Sequence, residues 1–152
     1  GGDDIVRLVT DACMGNPRIR WLGVVDDASL HRAYLDCTFT VYASEIEGFG
    51  LPILESLWHG KPCLCHGEGV MGELASAGGC LTTDVTAVET FADALEAMAA
   101  DCALRDRLAA QAVARPIRTW NVYALDVLRR LTAPDAGALA ARIAAGCFGG
   151  IT

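Results

Sequence analysis

The sequence predicts an α/β fold, an open parallel sheet flanked by helices, and three observations carry that prediction. Apolar residues at helical spacing alternate along the chain with short β-rich runs. Turn-forming residues separate these segments, as at Asn16-Pro17, Gly67-Glu68-Gly69 and Gly78-Gly79. Hydrophobic residues make up 53% and charged residues 20% of the 152, which suits one domain with a buried core and excludes a disordered chain.

Taken in order, Ile5 to Cys13 reads as a helix, with Ile5, Leu8, Val9 and Ala12 on one face, and Asn16-Pro17 breaks it. Arg18 to Gly23 alternates charged with apolar or aromatic residues, including Ile19 and Trp21, and is expected as a strand. Asp26, Asp27 and Ser29 offer N-caps for a helix that carries Leu30, Ala33 and Tyr34. Thr38 to Ala43 is β-rich. A helix from Leu51 stops at Gly60, and Pro62 to His66 forms a short apolar strand. A short helix over Met71 to Ser76 and a strand over Cys80 to Thr83 come next. Two helices fill Val88 to Ala114, Pro116 interrupts, and a last helix runs from Trp120 to about Leu131. Crossover helices between these strands call for a parallel sheet covered on its faces.

Charge and cysteine content narrow the function. A formal charge of −7, with Lys61 the single lysine and the arginines scattered, argues against a nucleic-acid partner, which needs basic clusters. No apolar run reaches membrane-spanning length and no signal-peptide pattern opens the chain, so a cytoplasmic location is expected. Seven cysteines are dispersed, and Cys63-Leu64-Cys65 lacks both zinc-knuckle spacing and a second close pair. On a strand, Cys63 and Cys65 would share one face, where thiols behave as small buried hydrophobes. No metal and no cofactor are expected. Asp26-Asp27 is a helix cap rather than a metal-binding acidic pair.

The chemistry concentrates in Glu47 to Glu55, EGFGLPILE, where seven residues separate two carboxylates. Gly48 and Gly50 permit a sharp turn that a ligand can approach closely. Pro52 suits the start of a helix, where its missing N–H is no loss. The helix N-terminus is thereby aimed at whatever lies above the loop, and a diphosphate fits its N–H groups and partial positive charge. Carboxylates there would repel phosphate, so Glu47 and Glu55 are expected to accept hydrogen bonds from neutral hydroxyls of ribose or a sugar ring. In an open α/β sheet the ligand sits beyond the carboxyl ends of the strands. The expected cleft is lined by Ser44 to Leu51 and by Gly67 to Met71, with Glu55 in the first helical turn.

The run VYASEIEGFGLPILESLWHGKP resembles the signature segment of retaining, nucleotide-sugar-dependent glycosyltransferases, the family 4 (group 1) enzymes of GT-B architecture. The similarity extends over roughly Asp3 to Leu131, although only the motif itself is specific. It implies a Rossmann-like, nucleotide-sugar-binding domain over residues 1–132, the C-terminal half of a GT-B enzyme without its first strand, and a helical tail over 133–152. It also implies residue roles. Glu47 is the catalytic-site candidate, holding hydroxyls of the transferred sugar in a positioning role rather than as a nucleophile. Gly48 fits the tight turn. Phe49, Gly50 and Leu51 present backbone N–H groups to the sugar and diphosphate, and Glu55 holds the ribose hydroxyls. The implied function is transfer of a hexose, with a GDP-mannose-like substrate favoured, to a glycan or lipid-linked acceptor in polysaccharide biosynthesis. The acceptor-binding N-terminal domain is a missing partner, so the chain alone is expected to transfer nothing. Through that domain the enzyme would sit peripherally at the inner membrane. A non-catalytic nucleotide-sugar-binding or regulatory module is the alternative, and a GT-B phosphorylase or epimerase fits the motif less well.

Other residues receive plainer expectations. His31, His59 and His66 are read as three separate capping or surface groups, with His59 placed to cap its helix and His66 facing the cleft. Lys61 is read as a solvated loop lysine, and Glu73 as complementing a helix dipole. Trp58 stands where the family carries a small residue and is expected to alter core packing; Trp120 is expected to anchor the last helix. Pro134-Asp135 opens a tail with Leu139 and Ile143 on one face of a short helix, and a homodimer of the chain is expected from it.

Overall fold

In the computed structural model, residues 2–132 are described, and the chain divides into a compact unit ending at Arg115 and a second beginning at Pro116. The first unit holds helices α1 (Gly2–Gly15), α2 (Asp27–Asp36), α3 (Leu51–Trp58), α4 (Gly69–Ser76), α5 (Val88–Ala100) and α6 (Cys102–Ala114). Its strands are β1 (Thr40–Tyr42), β2 (Cys63–His66) and β3 (Cys80–Thr83). They form one parallel sheet in the order β1-β2-β3, with Cys63 opposite both Thr40 and Cys80. The expected open parallel α/β sheet is therefore present. Of the second unit, helix α7 (Trp120–Thr132) is described, and the Trp120 ring meets Tyr123 edge-on within it. The expected tail helix lies outside the described residues.

Local chemistry sets the helix starts. The Asp26 side chain accepts from the Ser29 N–H at 2.8 Å and opens α2, and Asp101 accepts from the Leu104 N–H at 2.9 Å and opens α6. Each such cap stabilises by about 1 kcal/mol. Gly50 precedes α3 with φ 71° and ψ 40°, a left-handed conformation, and Pro52 follows in the first turn. A β-carbon at Gly50 would also lie 2.9 Å from Leu74 Cδ1, so both backbone and packing call for glycine.

Three cations close helix ends. Lys61 Nζ donates to the carbonyls of Leu35 and Cys37, both at 2.8 Å, and so caps α2. Arg105 donates to Met98 and Ala99 at the end of α5, and Arg115 to Leu74 and Gly78 at the end of α4. Lys61 is thus not a solvated loop group. It follows Gly60, whose turn beyond α3 brings the side chain back over the last carbonyls of α2, where a cation complements the dipole.

Alternation along β2 sorts its side chains. Leu64 is fully buried with Met98 of α5 and Leu108 of α6, and Phe39, Leu81, Phe91 and Leu95 pack against them. Cys63 and Cys65 share the other face and are likewise buried. Hydrogen bonding to the Cys63 and then the Cys65 sulfur, followed by burial, pushes the Cys80 thiol up; Cys65 rises to about 12, again chiefly through Cys63. Among the described residues all cysteines are free, and no cluster of side chains has the geometry to hold a metal ion. Ser56 is the buried polar side chain, and it accepts from Thr40 at 2.6 Å while donating to the Lys61 carbonyl at 3.0 Å.

Besides that of Lys61, two further expectations fail. Arg18 to Gly23 is not a strand: it is irregular backbone, and Ile19 N–H turns back to the Asn16 carbonyl at 2.9 Å. A strand exists only through its neighbour, and β1 pairs with β2 alone among the described residues. Trp58 does not alter the core. It is 58% exposed, while Ile53 and Leu57 of the same helix point inward. No described helix is long and apolar enough to cross a membrane.

Candidate functional site

The motif loop leaves the carboxyl end of β1 and enters α3, and each of its two carboxylates is held by a tyrosine. Tyr42, the last residue of β1, donates its hydroxyl to Glu47 Oε1 at 2.5 Å, and Ser44 donates to the same oxygen at 3.1 Å. Among the described residues no side-chain donor reaches Glu47 Oε2, and the Gly48 N–H adds a backbone bond to the carboxylate. These bonds, the Tyr42 hydroxyl first, hold the Glu47 carboxyl below its ordinary range, so it is an anion at neutral pH. The same bond pushes the Tyr42 hydroxyl up.

Glu55 lies on the fifth residue of α3, one turn further in than its expected place. Tyr34 of α2 donates to Glu55 Oε2 at 3.0 Å and, among the described residues, leaves Oε1 clear of side-chain donors. Burial first, and then this bond, push the Tyr34 hydroxyl up, so it stays a proton donor. Two carboxylates thus emerge from the motif, each with one oxygen bonded by protein hydroxyls and a second that no side-chain donor reaches among the described residues.

Between them lies the start of α3. Leu51, at its first position, has an N–H with no intrahelical acceptor, and Phe49 and Gly50 precede it. Gly48 and Phe49 bend the chain ahead of the helix. The positive φ falls on Gly50, and a β-carbon at Gly48 would meet only open space. Phe49 is 58% exposed, an apolar ring standing beside the loop.

One strand over, the His66–Glu68 turn and Thr82, Thr83, Asp84 and Thr86 line an open recess of about 500 Å³. It takes in Gly67 and Glu68 of the expected cleft and none of Ser44 to Leu51. His66 Nδ1 accepts from the Val85 N–H at 3.4 Å, which leaves Nε2 as the protonated nitrogen of the neutral ring. Asp84 is held below the ordinary carboxylate range by Thr86, first through its hydroxyl and then through its N–H. The recess presents hydroxyls, an imidazole and carboxylates, a lining suited to a neutral hydroxylated group rather than to an anion.

His31 and His59 are not separate, whereas His66 stands apart from both. His31 Nδ1 and His59 Nε2 lie 2.7 Å apart, and His59 Nδ1 lies 2.7 Å from the Glu55 carbonyl oxygen, where it caps α3 as expected. Tyr34, Tyr42 and the His31–His59 contact escaped the sequence assignment. The available signal was spacing: His31 and Tyr34 are three apart on one helix face, and Glu55 and His59 four apart on another.

A glycine turn and helix N-terminus at the carboxyl end of a parallel strand, with carboxylates on either side, define an α/β domain that receives its ligand at the strand ends. The chain matches the model of the family described as "Glycosyl transferases group 1" over residues 3–115, and it belongs to that family. It is 34% identical over 88 residues to "O-antigen chain mannosyltransferase B" of Escherichia coli, covering 57% of this chain and 23% of that protein. The chain therefore spans about a quarter of the length of this relative.

Proposed function

We propose that this chain is the nucleotide-sugar-binding domain of a retaining glycosyltransferase that moves a hexose from a nucleoside diphosphate to a glycan or lipid-linked acceptor. The observation that carries the proposal is the pairing of the α3 N-terminus with two pre-held carboxylates, each with an oxygen that no side-chain donor reaches among the described residues. In this reading the N–H groups of Phe49, Gly50 and Leu51 face the diphosphate, and the dipole of α3 stabilises charge as the sugar–phosphate bond breaks. Glu47 accepts from sugar hydroxyls, and Glu55 from the ribose. Lys61 is committed to α2, so backbone groups rather than a lysine meet the phosphates. No metal takes part, and the acceptor is bound by a partner domain.

A GDP-mannose-like substrate is the specific form proposed, supported by the likeness to an O-antigen mannosyltransferase. Cytoplasmic work in polysaccharide assembly is part of the same proposal.

Calorimetric titration with GDP, UDP, GDP-mannose and UDP-glucose tests this. Saturable binding of one base is expected, weakened about tenfold or more by Glu55→Ala, the scale of a lost hydrogen bond to a charged group. Absence of binding at millimolar ligand would overturn the reading for this chain. Sugar transfer by the purified chain would overturn the assignment of acceptor binding to a partner domain.

A further inference from the structure

Glu55 belongs to a cluster of four side chains drawn from α2 and from α3 with its C-cap. α2 contributes His31 and Tyr34 from one face, and α3 contributes Glu55 and His59. Tyr34 donates to Glu55 Oε2 at 3.0 Å, and its ring stacks on His59 with centroids 4.8 Å apart and planes 11° apart. His59 returns to the same residue through its Nδ1, 2.7 Å from the Glu55 carbonyl oxygen. Behind it, His31 Nδ1 sits 2.7 Å from His59 Nε2.

The proton positions follow from the acceptors. A carbonyl oxygen only accepts, so His59 Nδ1 carries a hydrogen. A neutral His59 then offers a lone pair at Nε2, and the hydrogen in the 2.7 Å contact belongs to His31 Nδ1. The direction of donation runs from His31 to His59 to the Glu55 carbonyl, while Tyr34 donates separately to the Glu55 carboxylate. Both ends of Glu55 are thereby held, and among the described residues Oε1 is left without a side-chain donor.

We propose that Tyr34 and His59, backed by His31, are positioning residues that present Glu55 Oε1 to the vicinal diol of a nucleotide ribose. This deepens the function proposed above and rests on its assignment of Glu55 to the ribose. None of the three touches the ligand. Tyr34 restricts the Glu55 rotamer directly and His59 acts through its stack on Tyr34, so that the ordering cost is met before the ligand arrives. Phosphate contacts lie at the other end of α3 and are untouched.

The test compares GDP and UDP with their 2′,3′-dideoxy counterparts on the same chain. The wild-type protein is expected to prefer the ribose form, and Glu55→Ala to abolish the preference. Tyr34→Phe keeps the ring stack and removes only the hydroxyl; it is expected to cut the preference about three- to tenfold, one hydrogen bond's worth, with dideoxy affinity unchanged. A preference lost in Glu55→Ala but intact in Tyr34→Phe would overturn the positioning role and leave the proposed function standing. Equal binding of ribose and dideoxy forms by the wild type would overturn the ribose role of Glu55 itself. Two ligand-free signals apply whatever the affinity. ¹⁵N spectra are expected to show His59 protonated at Nδ1 and His31 coupled to it, and the Glu55 carboxylate carbon is expected to move in Tyr34→Phe. A His59 protonated only at Nε2, or an unmoved carboxylate carbon, would overturn the proposal.

Discussion

Neither motif carboxylate is paired with a cation among the described residues; phenols hold them instead. The difference is chemical. A guanidinium can occupy both carboxylate oxygens at once, whereas a single hydroxyl occupies one and leaves the other to accept from a sugar. Glu47 shows the consequence most directly, because Tyr42 and Ser44 both donate to Oε1. Its folded-state pKa is lowered, first by Tyr42, so these bonds stabilise the fold above the ordinary carboxylate pKa and lose that contribution as pH falls through the folded value. Tyr42→Phe removes the largest cause. The Glu47 midpoint, followed by ¹³C titration of its carboxylate, is expected to rise toward the ordinary value, and an unchanged midpoint would show that the short contact does not exist in solution. The motif glutamates themselves were legible in sequence because the motif is local. Their tyrosines were not: Tyr34 is 21 residues from Glu55, and only the packing of α2 on α3 brings them together.

At the scale of elements, what the sequence made plain was punctuation. Asp26, Pro52, the Gly78-Gly79 pair and the apolar spacing of α5 and α6 each act locally, and the helices begin and end within a few residues of their expected places. The failure at Arg18 to Gly23 has the opposite origin, since alternation describes a strand's faces and says nothing of the partner that makes it one. Glycine at 72 is another property the pattern hides. In a helix, Gly→Ala ordinarily gains about 1 kcal/mol. Here a β-carbon would lie 2.2 Å from the Gly67 carbonyl oxygen, a backbone atom that cannot rotate away. Relieving that overlap costs about 1–3 kcal/mol and more at so short a distance, so the clash outweighs the propensity. Gly72→Ala is expected to lower stability by about 1–2 kcal/mol in urea unfolding, because α4 can no longer rest on the His66–Glu68 turn. A stabilised variant would mean that the turn and helix are separable, and that the recess is not built by their contact.

At the scale of the molecule, the question is which part carries the fold. All the described residues that are fully buried lie between Gly50 and Ala112, and α7 contributes none. The match to the family ends at residue 115, where the first compact unit also ends. Arg115 marks that end for a physical reason. Its guanidinium donates to Leu74 at 2.6 Å and Gly78 at 3.2 Å, clasping the last turn of α4 from the end of α6. The turn it clasps contains Gly79, where a β-carbon would strike Leu57 of α3 at 2.6 Å, so α3, α4 and α6 close on one another there. A chain ending at Ile117 keeps this clasp, and a chain ending at Ala114 removes it. The longer truncation is expected to unfold cooperatively with a melting temperature close to that of the whole chain. The shorter one is expected to lose about 1–2 kcal/mol, the worth of a charged hydrogen bond at a half-buried site. Thermal unfolding of the two, side by side, isolates three residues from the question of the second unit. Equal stability would place the end of the folding unit before Arg115, while loss of cooperative unfolding in both would show that the first unit depends on residues beyond Ile117.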